Sequence, residues 1–218
     1  MRSGESKKVK DYFERMADDF DSIYSGKKSR FMQWLDKVFR KDMYERYRLT
    51  LEECRDEKIQ SVLDIGCGSG RFCLPLAKEK NRVVGIDFSG PMLEIARSEG
   101  QKAGVTERCD FREGDFMQMN LDGPFDAILA IGLFDYIREP AAFLAKIRGL
   151  LKRKAVATWP AVWTWRALPR WIRLNLQGCP VFFFTPSGVR SLYQHAGLKI
   201  VRFERIGKIY FVVAEPAA

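Results

Sequence analysis

Ser61-Val62-Leu63-Asp64-Ile65-Gly66-Cys67-Gly68-Ser69-Gly70 is the stretch that decides the fold. Its first five residues form a short apolar run of the kind buried on both faces of a parallel sheet, and three alternate glycines end it. Downstream, periodicity predicts a helix over Phe72–Lys80, a strand over Arg82–Ile86 and a helix over Pro91–Ala103, with proline near its start. Strands near Cys109–Arg112 and over Phe125–Ile131 come next, then a helix over Pro140–Leu151 and a strand over Ala155–Trp159. Thr185 caps a helix over Pro186–Ala196, and Gly197 stops it. The last strands, Leu198–Glu204 and Lys208–Ala214, meet at Ile206-Gly207 as a hairpin that adds an antiparallel strand at one edge. This alternation implies an α/β fold, a doubly wound, mostly parallel sheet with helices on both faces.

Upstream, Val9, Tyr12, Phe13, Met16 and Phe20 recur at helical spacing, and a second helix is predicted from about Phe31 to Cys54. The expected organisation is therefore an N-terminal helical cap over 1–58 and the α/β domain over 59–218. Within that domain, Pro160 to Pro186 is far longer than a usual strand–helix connection, and such loops are commonly functional. It holds Trp163, Trp165, Arg166, Arg170, Trp171, Arg173 and the run Val181-Phe182-Phe183-Phe184, and reads as a substrate lid.

Composition narrows the class. Of 218 residues, 46% are hydrophobic and 30% charged, which excludes a disordered chain. No stretch approaches the roughly 20 apolar residues of a membrane span, and Ala155–Trp165 is too short. The N-terminus lacks the apolar core of a signal peptide, so a cytoplasmic location is expected. Five scattered cysteines, no CxxC and the single His195 argue for reduced, buried thiols and no metal site. The net charge of +9 is lopsided: Pro140 to Phe203 contains eleven basic residues and no acid, while the remaining 26 basic residues face 28 acidic ones. Four of the five tryptophans, Trp159 among them, lie in that region. Such a field beside aromatic surface attracts anionic partners, or it is simply a solvated face.

Asp87 closes the second strand, 21 residues after Gly66, where an acid can accept from both hydroxyls of a ribose. A pyrophosphate dinucleotide asks for GxGxxG; here the third glycine comes one residue early, and Asp64 beside the turn would repel phosphate. A nucleoside carrying an ammonium group and no phosphate suits the site better, and S-adenosylmethionine is such a ligand.

In these motifs the sequence resembles the class I S-adenosylmethionine-dependent methyltransferases. Val62–Gly70 looks like the family's first motif, which implies that Asp64, Gly66, Cys67, Gly68 and Gly70 surround the methionine part of the cofactor. The resemblance makes Asp87, followed by Phe88, the ribose-binding acid and Met92 an apolar neighbour of the adenine. It makes Asp115, followed by Phe116, the acceptor for the adenine amino group, and places Ile131 at the end of the fourth strand beside the sulfonium. It also implies a Rossmann-like sheet of seven strands, the last antiparallel and inserted beside the fifth. The opening Asp11–Tyr24 and the stretch Gly132-Leu133-Phe134-Asp135-Tyr136 are similar to magnesium-protoporphyrin O-methyltransferases, which carry histidine where this chain has Asp135. Quinone-biosynthesis methyltransferases share such openings.

Methyl transfer needs alignment, and a base only where the acceptor must lose a proton. Tyr24, Asp135 and His195 are the candidates for that role. Tyr12, Trp163, Arg166, Arg170 and Phe183 are the expected substrate contacts, for a small hydrophobic or anionic acceptor. Contact with an anionic membrane surface is a second use of the basic aromatic segment. A nucleic-acid methyltransferase is a rival reading, weakened because Ile131-Gly132-Leu133-Phe134 is not the Asn/Asp-Pro-Pro-aromatic turn of base N-methylation and Cys179 precedes rather than follows a proline. A noncatalytic cofactor-binding partner protein is another. The sequence leaves the acceptor, the atom methylated and the oligomeric state open.

Overall fold

The computed structural model describes residues 41–162 and 181–217. Tyr12, Tyr24, Trp163, Trp165, Arg166, Arg170, Trp171, Arg173, Cys179 and the helix expected over residues 9–20 lie outside the described residues.

Apolar runs short enough to be strands and buried enough to need cover on both faces make the sheet. Its strands are β1 (Ser61–Ile65), β2 (Arg82–Asp87), β3 (Cys109–Glu113), β4 (Phe125–Ala130), β5 (Leu151–Pro160), β6 (Leu198–Ile206) and β7 (Ile209–Pro216). They lie in the order β3-β2-β1-β4-β5-β7-β6. Among the described residues, β7 alone runs against its neighbours, pairing antiparallel with both β5 and β6. The final hairpin therefore does not add its antiparallel strand at the edge: β7 lies inside and β6 forms the edge. Burial explains the choice, since Ile209 to Ala214 are all buried whereas β6 alternates and is largely open.

Alternate residues feed two cores. On one face Leu63, Ile86, Ile128 and Trp159 pack with Phe143 and Ile147 of helix α4 (Pro140–Leu150) and Tyr193 of α5 (Pro186–His195). On the other, Val62, Val83, Leu129 and Phe211 meet Leu49 of α1 (Lys41–Glu53), Leu76 of α2 (Cys73–Ala77) and Leu93 of α3 (Gly90–Ala103). Thr185 caps α5 as expected, its Oγ1 accepting from Gly188 N at 3.1 Å.

Two further expectations change. Strand β5 begins at Leu151 rather than Ala155, because its charged start is paired: Lys152 and Arg153 lie 3.3 and 3.5 Å from Asp126, and Lys154 lies 2.8 Å from Glu53. Trp159 is core, not surface: it is fully buried, stacks on Phe134 at 3.8 Å and donates Nε1–H to Tyr193 Oη at 3.2 Å. The basic excess is correspondingly less of a free field. Lys146 and Arg148 donate to backbone carbonyls, and Arg202 bridges Glu53 and Glu204.

The long connection after β5 is pinned at both ends. Ala161 bridges Phe184 in parallel, Phe184 N donates to the Pro160 carbonyl at 2.9 Å, and Val162 N donates to the Phe184 carbonyl at 3.2 Å.

Candidate active site

Register brings the site together. Ile65 pairs with Ile86, Asp64 with Leu129 and Asp87 with Glu113, so the carboxyl ends of β1, β2, β3 and β4 open on one edge of the sheet. The strand order reverses between β1 and β4, the place where doubly wound sheets leave a crevice. A cavity of about 280 Å3 occupies it.

The glycine turn forms its floor. Gly66, Gly68 and Gly70 have φ of +75°, +52° and +78°, a region that costs any other residue strain. A Cβ at Gly68 would also come within 3.3 Å of Met92 Cε. Beneath the turn, Gly85 must lack a side chain as well, because a Cβ there would lie 2.8 Å from Cys67 Sγ and 3.0 Å from Cys73 Sγ. Asp87 locks turn to strand: Oδ2 accepts from Gly68 N at 2.8 Å and Oδ1 from Ser89 N at 2.9 Å. Burial raises its pKa, and the amides of Ser89, Gly68 and Phe88 oppose that rise. Three amides leave the carboxylate with capacity to accept from a hydroxyl as well.

The walls are mostly apolar, with Ile86, Phe88, Met92, Phe116, Ile131 and Leu133 among them. Asp115 sits in the wall after β3, its Oδ1 accepting from Met117 N at 2.9 Å. Asp135, in the one-turn 3-10 helix Phe134–Tyr136 after β4, is only 7% exposed and lines the same cavity. Its carbonyl accepts from Phe182 N at 2.9 Å, which ties the return of the long connection to the cavity rim. Two cations complete the lining. Arg46 comes from α1 and packs over Gly132, where a Cβ would lie 3.3 Å from Nη1; Arg71 follows the glycine turn and covers the Tyr47 ring at 4.7 Å.

The chemistry of this donor set fits a nucleoside that also carries an amino acid. Carboxylates can accept from hydroxyl and amine donors, guanidiniums can pair with a carboxylate, apolar walls can take a flat ring, and a floor without side chains leaves backbone open to a ligand. The comparisons agree. Residues 62–154 match the methyltransferase domain family. The demethylmenaquinone methyltransferase of Lactiplantibacillus plantarum is 30% identical over 172 residues, which span 66% of this chain and 72% of that protein. The family follows from that coverage. This chain belongs to the class I S-adenosylmethionine-dependent methyltransferases.

The methyltransferase is also 28% identical over 169 residues to the ubiquinone biosynthesis O-methyltransferase of Cereibacter sphaeroides, covering 68% of this chain and 63% of that one. With a second such enzyme, from Xylella fastidiosa, the match spans 37% of the relative's length. In structure it is similar to magnesium protoporphyrin IX methyltransferase from Synechocystis PCC 6803 with bound S-adenosylhomocysteine, at a TM-score of 0.78 and 20% identity, covering 97% of this chain and 100% of that one.

Of the expected site residues, Gly66, Cys67, Gly68, Asp87, Phe88, Met92, Asp115, Phe116, Ile131 and Asp135 surround the one cavity. Others are elsewhere. Asp64 is 1% exposed and lies behind the turn, where the Cys73 thiol donates to its Oδ2 at 3.4 Å; burial pushes its pKa up to about 7. Gly70 shapes the turn from the protein side, facing Phe111 and Ala96. His195 is a helix-end residue, not a base at the cavity: it is exposed, and Nδ1 donates to the Ser191 carbonyl at 2.7 Å. Phe183 is half-buried and does not line the cavity; its neighbour Phe182 lies under the Arg138 guanidinium at 5.5 Å. Arg46 and Arg71 were not expected. Arg71 directly follows the glycine turn, whereas Arg46 comes from α1, outside the motifs that carry the resemblance.

Among the described residues no helix is long and apolar enough to cross a membrane, and no group of His, Cys, Asp and Glu could hold a metal ion.

Proposed function

We propose that the methyltransferase transfers a methyl group to a small, flat, hydrophobic or anionic acceptor of the quinone or porphyrin class. The observation behind this is the chemistry of the cavity at the strand-order reversal: Asp87, Asp115 and Asp135, the guanidiniums of Arg46 and Arg71, and mostly apolar walls line it together. S-adenosylmethionine, when bound, supplies an electrophilic methyl group on a sulfonium. In this reading Asp87 binds the ribose hydroxyls, Asp115 accepts from the adenine amino group, and Met92 and Phe116 flank the ring. Arg46 and Arg71 meet the amino-acid carboxylate over the open glycine floor.

Asp135 is the group set to act on the acceptor. It stands at the end of β4, buried and in the cavity, where it can take a proton from an acceptor hydroxyl as the methyl is transferred. Tyr24, Tyr12, Trp163, Arg166 and Arg170 remain proposed acceptor contacts, in keeping with a cap over 1–58 and a lid at about 160–186. Support for an acceptor near Asp135 comes from the Phe182 contact, which joins that lid's return to the cavity rim. Contact of the basic aromatic segment with an anionic membrane would serve delivery of an acceptor of this apolar kind.

The test is label transfer from methyl-labelled S-adenosylmethionine to a panel of hydroquinones, porphyrin carboxylates and RNA. Labelled quinol or porphyrin is the expected product; label appearing in RNA alone would overturn the reading. Asp87→Ala is expected to weaken S-adenosylhomocysteine binding by about 1–3 kcal/mol by calorimetry, because a charged acceptor is lost. Unchanged affinity would contradict the ribose assignment.

A further inference from the structure

The wall that carries Asp115 and Phe116 is a single tight turn between β3 and β4. Met119 N and Gln118 N both donate back to the Asp115 carbonyl, at 3.1 and 2.9 Å, while the Asp115 side chain caps Met117 N. Such a turn ends, as a helix does, with carbonyls that its own amides do not satisfy. Lys146, on α4, supplies the missing donors. Its Nζ lies 2.6 Å from the Phe116 carbonyl, 3.2 Å from that of Met117 and 2.6 Å from that of Met119. An ammonium has three protons, and here three carbonyls receive them. The same ammonium stands 4.9 Å from the centre of the Phe116 ring, which in turn packs 4.8 Å from Phe143; both rings line the cavity.

We infer that Lys146 is a positioning residue of the cofactor site, holding the Asp115–Met119 turn so that Asp115 and Phe116 can discriminate an adenine ring. It touches no ligand itself. It acts through the turn, fixing the carboxylate's height against the wall and the tilt of the Phe116 ring. The inference rests on the proposed placing of adenine against this turn, and the experiment separates the two.

Calorimetry measures S-adenosylhomocysteine and S-inosylhomocysteine, in which a carbonyl replaces the amino group, on the full chain and its variants. The parent protein prefers the adenosine compound, and Asp115→Asn removes that preference. Lys146→Met weakens S-adenosylhomocysteine binding about tenfold and shrinks the preference, while Lys146→Arg, which keeps charged donors, restores much of both. Arg148→Met serves as the control. Arg148 is on the same helix and donates to the Gly197 carbonyl at 3.1 Å, away from the cavity, so its loss lowers the melting temperature but leaves the preference intact. Should Lys146→Met fail to fold, Lys146→Gln, whose amide offers two donors, carries the same comparison. A Lys146 variant that loses thermal stability while keeping the full preference overturns the inference and leaves the adenine placing intact. A parent protein that binds both compounds equally overturns the adenine placing and the inference with it.

Discussion

Asp64 stands two residues before Gly66, yet its carboxylate lies behind the turn with a thiol for a neighbour. Burial is the main reason that its pKa is pushed up to about 7, with the Asp87 charge adding and the Cys73 hydrogen bond opposing. An unfolded aspartate titrates near pH 3.9, so the folded protein holds this proton more tightly than the unfolded chain. The associated stability is present below that unfolded value and is lost as pH rises toward 7. Asp64→Asn, which cannot ionise, should therefore match the parent protein in melts near pH 4 and surpass it at pH 8. A difference that does not grow with pH would refute this. The spacing of Gly66, Gly68 and Asp87 was legible because backbone chemistry dictates it. The depth of Asp64 was not, because a strand's alternation decides which side of the turn a carboxylate takes only once the packing of Cys67, Cys73 and Gly85 is known.

Beyond its apolar packing, helix α1 is tied to two strands of the sheet through one carboxylate. Glu53 Oε2 lies 2.8 Å from Lys154 Nζ on β5, and Oε1 lies 2.8 Å from Arg202 Nη1 on β6. Burial pushes the Glu53 pKa up, but hydrogen bonds from Lys154 and Arg202 outweigh it and hold the carboxyl below its ordinary value. A depressed folded pKa means stability that is present above the unfolded value and lost as pH falls through the acid range. The same helix brings Arg46 to the cavity and Tyr47 to Arg71, so the junction couples stability to binding. Glu53→Gln should lower stability by about 1–3 kcal/mol in urea and weaken S-adenosylhomocysteine binding together. Loss of stability with unchanged affinity would show that the helix keeps its place without the junction. The same junction explains an element misjudged from sequence: Lys152-Arg153-Lys154 reads as loop, and only the distant acids Asp126 and Glu53 make it strand. The interior place of β7 is likewise a tertiary fact: the hairpin alone put it at the edge, and the family resemblance placed it correctly beside the fifth strand, whereas its pairing with β6 was local and legible.

At the scale of the molecule, charge and architecture separate. Of the eleven basic residues between Pro140 and Phe203, Lys146, Arg148, Lys152, Arg153, Lys154 and Arg202 serve the framework through carbonyls and acids. Arg166, Arg170 and Arg173 belong to the connection after β5 and stand in the proposed acceptor lid. Neutralising these three to Gln should leave S-adenosylhomocysteine affinity unchanged and reduce turnover, as measured by titration and by label transfer. Weaker binding of the product in the triple variant would count against an acceptor role.

That connection leaves β5 after Pro160 and returns at Phe184, where its two ends are hydrogen-bonded to one another. Closing a loop between ends held together costs little more when the loop is lengthened, roughly 0.6 kcal/mol per doubling. The catalytic chassis is thus mechanically insulated from whatever is spliced between those two points. With the connection acting as the proposed lid, acceptor preference should be exchangeable like a cartridge, by grafting, while the strands beneath keep their register.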